Sequence, residues 1–204
     1  MNAPLNTAAI PSVPGTPIAG GFFAGLIRIG DDTFALVVAP KAAGHTRKAW
    51  GEYGKTIDGA RSYNDGMANT LAMAEAGSAL AQWARELNID GHADWYIPSR
   101  DELEVCYRHL KPTSEENYCY FRSGDNPSSV PVGYPYTEES PAQPASSAFQ
   151  KGGEEAFDDS WHWASTQYSA DDAWLQDFDD GTQSNDRKHN EYSARAVRRF
   201  KVSN

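Results

Sequence analysis

The sequence predicts an α+β fold, and three observations carry that expectation. Two β-rich runs, over 22–29 and 33–39, flank Gly30, Asp31 and Asp32 near the start. Two stretches with helical spacing follow, over 69–87 and from Ser99 to Pro112. The last third returns to short runs broken by turn residues, so strands and helices are segregated rather than alternating.

Residues 1–20 are Ala, Pro, Asn, Thr and Gly with almost no charge, a composition that cannot order itself by burying apolar surface. They read as an extended arm that lies along a neighbouring chain. Residues 21–48 then hold a β-hairpin closed by Pro40, and the remainder, 49–204, reads as one domain. Within 69–87, Leu71, Leu80, Trp83 and Leu87 recur near helical spacing and predict one main helix. In "DWYIPSRDELEVCYRHLKP", residues 95–97 form a short strand and Ser99 with Glu102 makes a capping box. Leu103, Cys106, Tyr107 and Leu110 supply the stripe of a second helix, which Pro112 ends. From 111 to about 153 the chain is rich in Pro, Ser, Tyr and Gly without periodicity, and loops of that length are usually functional. Strands are expected over 161–164, 173–178, from 183 onward and over 193–202, with Asp179-Asp180-Gly181 as a turn.

The 204 residues carry 18 Lys+Arg against 28 Asp+Glu, a formal net charge of -10. No basic face is concentrated anywhere, so a nucleic-acid partner is not expected. Residues 1–21 lack the charged and apolar regions of a signal peptide, and no apolar run spans a bilayer, so a soluble chain with no membrane insertion is expected. Cys106 and Cys119 are too few for a disulfide framework and lack CxxC spacing. Their placement favours a buried thiol at Cys106 over a 106–119 bridge.

Four motifs in order, "DWYIPSRDELEVCYRHLKP", "WHWASTQ", "AWLQDFDDG" and "ARAVRRF", resemble the domain at the C-terminus of the Legionella collagen-like adhesin and its phage-encoded relatives. That family is similar to the C-type-lectin fold, shared with the variable proteins of diversity-generating retroelements and with formylglycine-generating enzymes. The resemblance covers roughly 50–200 and implies two helices and small antiparallel sheets held rigid beneath long contact loops. It also implies a binding module, in phage relatives a virion component and often a trimer. The arm and hairpin fall outside it and read as an attachment and oligomerisation extension.

Trp161 and Trp163 lie two apart and share a strand face, with His162 on the other. Trp163 and Trp174 are expected in the core, whereas Trp161 is left open between core and surface. His45, His92, His109, His162 and His189 show no HxxxH or HxH pattern, so no metal site is expected. Asp171, Asp172, Asp177, Asp179 and Asp180 invite calcium, but "DFDDGTQSND" puts Gly181 where an oxygen ligand belongs and no Glu-Pro-Asn or Gln-Pro-Asp triplet is present. Binding without metal or other cofactor is the preferred reading. Nothing carries a Ser-His-Asp order, a nucleophile elbow or a phosphate loop, so no catalytic residue is assigned.

The residues expected to face outward and bind are Trp161, Tyr168, Asp171, Asp172, Gln176, Ser184, Asn185, Asp186, His189, Asn190 and Tyr192, with Ser169 among them on the surface. Tyr, Ser, Asn and Asp supply rigid amphipathic area and adaptable hydrogen bonds. Arg195, Arg198 and Arg199 are expected to pair internally with acidic neighbours. Together with the resemblance, these residues lead to the expectation of a non-enzymatic bacteriophage virion protein, made in the host cytoplasm. It would attach to other virion proteins through 1–48, form a homo-oligomer, as a trimer, and bind a host-surface sugar or protein. One alternative is a capsid or tail decoration protein that cements neighbouring subunits. Another is an enzyme of the formylglycine-generating type, whose activity a Cys106→Ser, Cys119→Ser double change should abolish. The composition of 168–192 also raises the expectation that this region is diversified.

Overall fold

The structure is a computed structural model that describes residues 5–6, 10–120 and 123–203. It is α+β, with helices on two mixed sheets. The first sheet contains β1 (Leu5–Asn6), β2 (Pro17–Ile18), β3 (Gly21–Ile29), β4 (Asp32–Val38), β6 (Ser129–Val130) and β11 (Val197–Ser203). Its order is β1-β11-β4-β3-β2, with β6 also on β3. The second contains β5 (His45–Ala49), β7 (Trp161–Gln167), β8 (Asp172–Asp177), β9 (Gln183–Arg187) and β10 (Glu191–Arg195), in the order β5-β10-β7-β8-β9. Only Ala196 separates β10 from β11, so the chain passes directly from one sheet to the other. The expected strand over 193–202 is therefore two strands in two sheets. The sheets are not purely antiparallel either, because β1 runs parallel to β11 and β10 runs parallel to β7.

The hairpin forms where expected, but it is not an appendage. β4 lies between β3 and β11, and Leu36 and Val38 face one core while Ala35 and Val37 face another. This explains why "ALVVA" is a continuous apolar run: the strand is covered on both sides. The described part of the arm, from Ile10 onward, docks on its own chain. Gly15 N donates to Phe23 O at 2.8 Å, Phe23 N donates to Thr16 O at 2.9 Å, and Arg198 Nη1 donates to Ala19 O at 2.9 Å. Most of the arm's first nine residues lie outside the described residues.

The single helix expected over 69–87 is two, α2 (Gly66–Glu75) and α3 (Ala79–Glu86). Gly77 turns the chain at φ +93, and Ser78 caps α3 by accepting from Ala81 N while donating to Trp50 O. Leu80 is buried as expected, but Leu71 is exposed. A short turn, α1 (Lys41–Gly44), precedes β5. Residues 95–97 do not form a strand of their own: only Tyr96 bridges to Val197.

The last helix, α4 (Arg100–Leu110), matches the sequence closely, including both arms of the capping box. Leu103, Cys106, Tyr107 and Leu110 pack against Ala24, Leu36 and Val38 of the first sheet. Asp101 is buried in its first turn and accepts from Ser128 Oγ at 2.7 Å. Burial pushes its carboxyl up to about 6. A carboxyl whose folded pKa lies above its unfolded value binds more protons when folded, so it adds stability as pH falls through about 6 and withdraws it as pH rises. Asp101→Asn should therefore gain on wild type by on the order of 2 kcal/mol at neutral pH. That gap should close toward pH 4, as urea melts across this range would show.

The Asp179-Asp180-Gly181 turn forms as expected, with Gly181 at φ +82 and a Cβ there 2.5 Å from Tyr107 Cε1. Gly181→Ala combines left-handed backbone strain with a ring clash and should cost at least about 1–3 kcal/mol in a thermal or urea melt. The aspartates of the turn close it themselves: Asp177 Oδ1 accepts from Asp179 N and Asp180 Oδ1 from Thr182 N. No helix among the described residues is long and apolar enough to cross a membrane.

Candidate recognition surface

Strand alternation splits the expected surface residues between two faces of the second sheet. Trp174 stands opposite Asn185, and Gln176 opposite Gln183, so these four share one face. Trp161, Trp163 and Leu175 belong to the other, where Trp163 is fully buried and Trp161 is partly buried against the same core. Ser184 and Asp186 alternate onto that second face as well.

On the first face an aromatic cluster gathers around Trp174. The Tyr168 ring meets it edge-on at 5.2 Å between centroids and the Tyr63 ring at 6.2 Å. Arg100 Cζ lies 4.7 Å above the Trp174 ring and 5.3 Å from that of Tyr63, a cation–π sandwich. Tyr63 and Tyr168 are 48% and 51% exposed, so their rings frame a surface rather than fill a core. Trp174, expected in the core, is only partly buried and its Nε1 has no partner among the described residues, nor has Arg100 Nε beside it.

Hydrogen bonds from neighbouring elements hold the cluster in place. Arg100 opens α4: its backbone N donates to Thr166 Oγ1 at 2.9 Å and its Nη2 to Gln183 Oε1 at 2.8 Å. Tyr168 sits on the β7–β8 turn, which buried Lys188 clamps from below. Lys188 Nζ donates to Gln167 Oε1 and Ala170 O, both at 2.8 Å, and to Lys55 O at 2.7 Å. Burial pushes this ammonium down to about 8. Ser169 Oγ accepts from Asp171 N and Asp172 N and closes the same turn. Lys188, Arg100 and Tyr63 were not among the residues singled out from sequence; Arg100 and Tyr63 are brought to Trp174 by long-range packing, which no local pattern announces.

The other expected residues are spread over the turns and both faces of the sheet. Asp171 and Asp172 are partly exposed at its turn. Gln176, expected at the surface, is 1% exposed and donates to Gly181 O and Tyr136 Oη, both at 3.3 Å. Asp186 accepts from Tyr192 Oη at 2.5 Å and from Asn190 Nδ2 at 2.9 Å. Burial would raise its carboxyl, but those two donors hold it below the usual carboxylate range. His189 is exposed and packs edge-on against Tyr53 at 5.4 Å. A second exposed aromatic patch lies on the long loop, where the Tyr118 and Tyr120 rings stack at 6.3 Å and Tyr134 covers Arg108.

The terminal arginines pair internally as expected, with carboxylates from loops and helix starts. Arg195 bonds Glu155 at 2.5 Å, Arg198 bonds Asp94 at 2.7 Å, and Arg199 bonds Asp65 at 2.9 Å and Glu102 at 3.4 Å. Both cysteines are free: Cys106 is buried, which pushes its thiol up, while Cys119 is exposed. The histidines are less scattered than their spacing suggested, because the His45 and His162 rings lie 6.4 Å apart.

Fold and site together describe an α+β domain with an aromatic cluster displayed on one sheet face. The chain belongs to the Lcl C-terminal domain family, whose model matches residues 45–198. That match leaves out β3 and β4, which nonetheless share the domain's core. No curated protein matches the sequence. Among solved structures, a fimbrial protein from Bacteroides ovatus is similar at 12% identity and a TM-score of 0.42, over 80% of this chain and 35% of that one.

Proposed function

We propose that this chain is a non-enzymatic bacteriophage virion protein whose C-type-lectin-like domain binds a host-surface sugar or protein, carried on the particle as a homotrimer. The observation that carries the reading is the Tyr63–Trp174–Tyr168 cluster. Three aromatic rings and a stacked guanidinium, two rings half exposed, sit on a rigid sheet with Gln183 and Asn185 beside them. Flat apolar faces ringed by hydrogen-bonding side chains suit the apolar face of a sugar ring or an aromatic-rich protein loop. Family membership and the phage relatives it resembles support the virion setting. The buried, raised thiol of Cys106 speaks against a thiolate chemistry.

Decoration remains the second reading, favoured by the separate Tyr118–Tyr120–Tyr134 patch, which offers a particle or subunit contact distinct from the cluster. An antibody against the chain, used as an electron-microscopy label on intact particles and as a blocker of adsorption, separates the two. Label at the tail tip with adsorption blocked is the expected result. Label across the capsid with adsorption untouched would replace receptor binding by cementing.

A further inference from the structure

We propose that His45, Asp158 and His162 form a binding site for a divalent transition-metal ion of the zinc type, independent of the recognition surface. His45 begins β5, His162 lies on β7, and β10 runs between them with Arg195 opposite His45 and Ser193 opposite His162. Residues 193 and 195 point to one side of the sheet, so both imidazoles do too. Asp158 approaches from the loop before β7. One imidazole nitrogen from each histidine and one carboxylate oxygen all lie within 4.8 Å of one another.

The protonation pattern suits metal ligands. His162 is fully buried, and its Nδ1 lies 2.8 Å from Ser160 O, an acceptor, so Nδ1 carries the proton and donates. That leaves a bare lone pair on Nε2, which has no partner among the described residues. Buried polar atoms are nearly always satisfied, so this one asks for an electrophile or a donor. His45 Nε2 already faces the carboxylate, 3.1 Å from Asp158 Oδ2, at ion-pair distance but without the alignment of a hydrogen bond. A histidine fixed through its other nitrogen to a backbone carbonyl is the usual outer support of a metal ligand. Lys41 Nζ supplies the equivalent for the carboxylate, holding Asp158 Oδ1 at 2.8 Å.

Two nitrogens and one carboxylate oxygen select the metal class. Calcium and magnesium favour all-oxygen sites, whereas zinc binds imidazole and carboxylate with a fourth position left to water. Tetrahedral ligands at about 2.0–2.1 Å from zinc stand roughly 3.3 Å apart, so the triad must close inward. The side chains of His45 and Asp158 are 23% and 37% exposed, which gives them freedom to turn and gives the ion a way in. Lys41 and Arg195 place positive charge nearby, but Glu155 and Asp158 offset it, with Glu155 bonded to Arg195 and to Lys41 N. A bound ion would tie edge strand β5 to β7 and the 158 loop.

The test is zinc titration of the tag-free full chain in competition with a chromogenic chelator, with cobalt(II) absorption as a second readout. Wild type should bind one equivalent with micromolar or tighter affinity and show the intense visible bands of tetrahedral cobalt. His45→Ala and Asp158→Asn, both at partly exposed positions, should each weaken binding by about tenfold or more. His189→Ala, at an exposed histidine packed on Tyr53, should leave it unchanged. His162→Gln should also abolish binding and is read only where its melt without metal matches wild type; the other two variants decide the matter without it. Absence of binding by wild type, or binding that survives both His45→Ala and Asp158→Asn, would overturn the proposal.

Discussion

Glu102→Ala should cost about 3–5 kcal/mol, the largest single loss the structure points to. Glu102 is fully buried, and its two oxygens serve four donors. Oε2 accepts from Ser99 N at 2.8 Å and Gly66 N at 3.0 Å, while Oε1 accepts from Tyr96 Oη at 2.6 Å and Arg199 Nη1 at 3.4 Å. It thereby joins the start of α4 to the start of α2, the Tyr96 bridge and β11. Alanine would strand a hydroxyl and two backbone donors away from water and take one of the two carboxylates from Arg199, leaving Asp65. For a chain of this length the expected fall in Tm is about 6–20 °C. A loss under about 1 kcal/mol in urea melts would mean that these donors find other partners.

Trp174→Ala should weaken binding to the host surface by about 30-fold, because aromatic residues at the centre of a recognition patch carry on the order of 2 kcal/mol or more each. It removes the ring on which Tyr63, Tyr168 and Arg100 all rest. Since Trp174 also touches the core from its partly buried side, some stability will be lost as well, about 2 kcal/mol. Trp174→Phe keeps an aromatic face and should recover most of both. A Trp174→Ala protein that melts lower yet binds host cells as tightly as wild type would move recognition elsewhere, with the Tyr118–Tyr120–Tyr134 patch next to test.

Local signals were legible in the sequence wherever the physics is local. Ser99 and Glu102 announced α4, Gly30 and Asp31 the hairpin, and Asp179-Asp180-Gly181 the turn, because caps and turns are decided within a few residues. The break at Gly77 and Ser78 was hidden because Leu71, Leu80, Trp83 and Leu87 recur near helical spacing across it, although Leu71 is exposed and Leu80 buried. Gln176 was misplaced for a different reason. Alternation puts it on the same face as Trp174, but the 181 turn and Tyr136 cover that end of the face and leave the other open. The aromatic cluster was half visible: Tyr168 and Asn185 stand in or beside it, whereas Tyr63 and Arg100 come from segments more than sixty residues away. His45 and His162 met in the same way, through a strand order that puts β5 and β7 on either side of β10.

The most direct test of the recognition surface is binding of the purified full chain to intact host cells, comparing wild type with Tyr63→Ala/Tyr168→Ala. Both tyrosines are about half exposed, so the double variant should melt with wild type. The account predicts that wild type binds and competes with phage for adsorption, while the double variant loses at least about tenfold in affinity, on the order of 1.4 kcal/mol, and no longer competes. Equal binding and equal competition by the two proteins would contradict it.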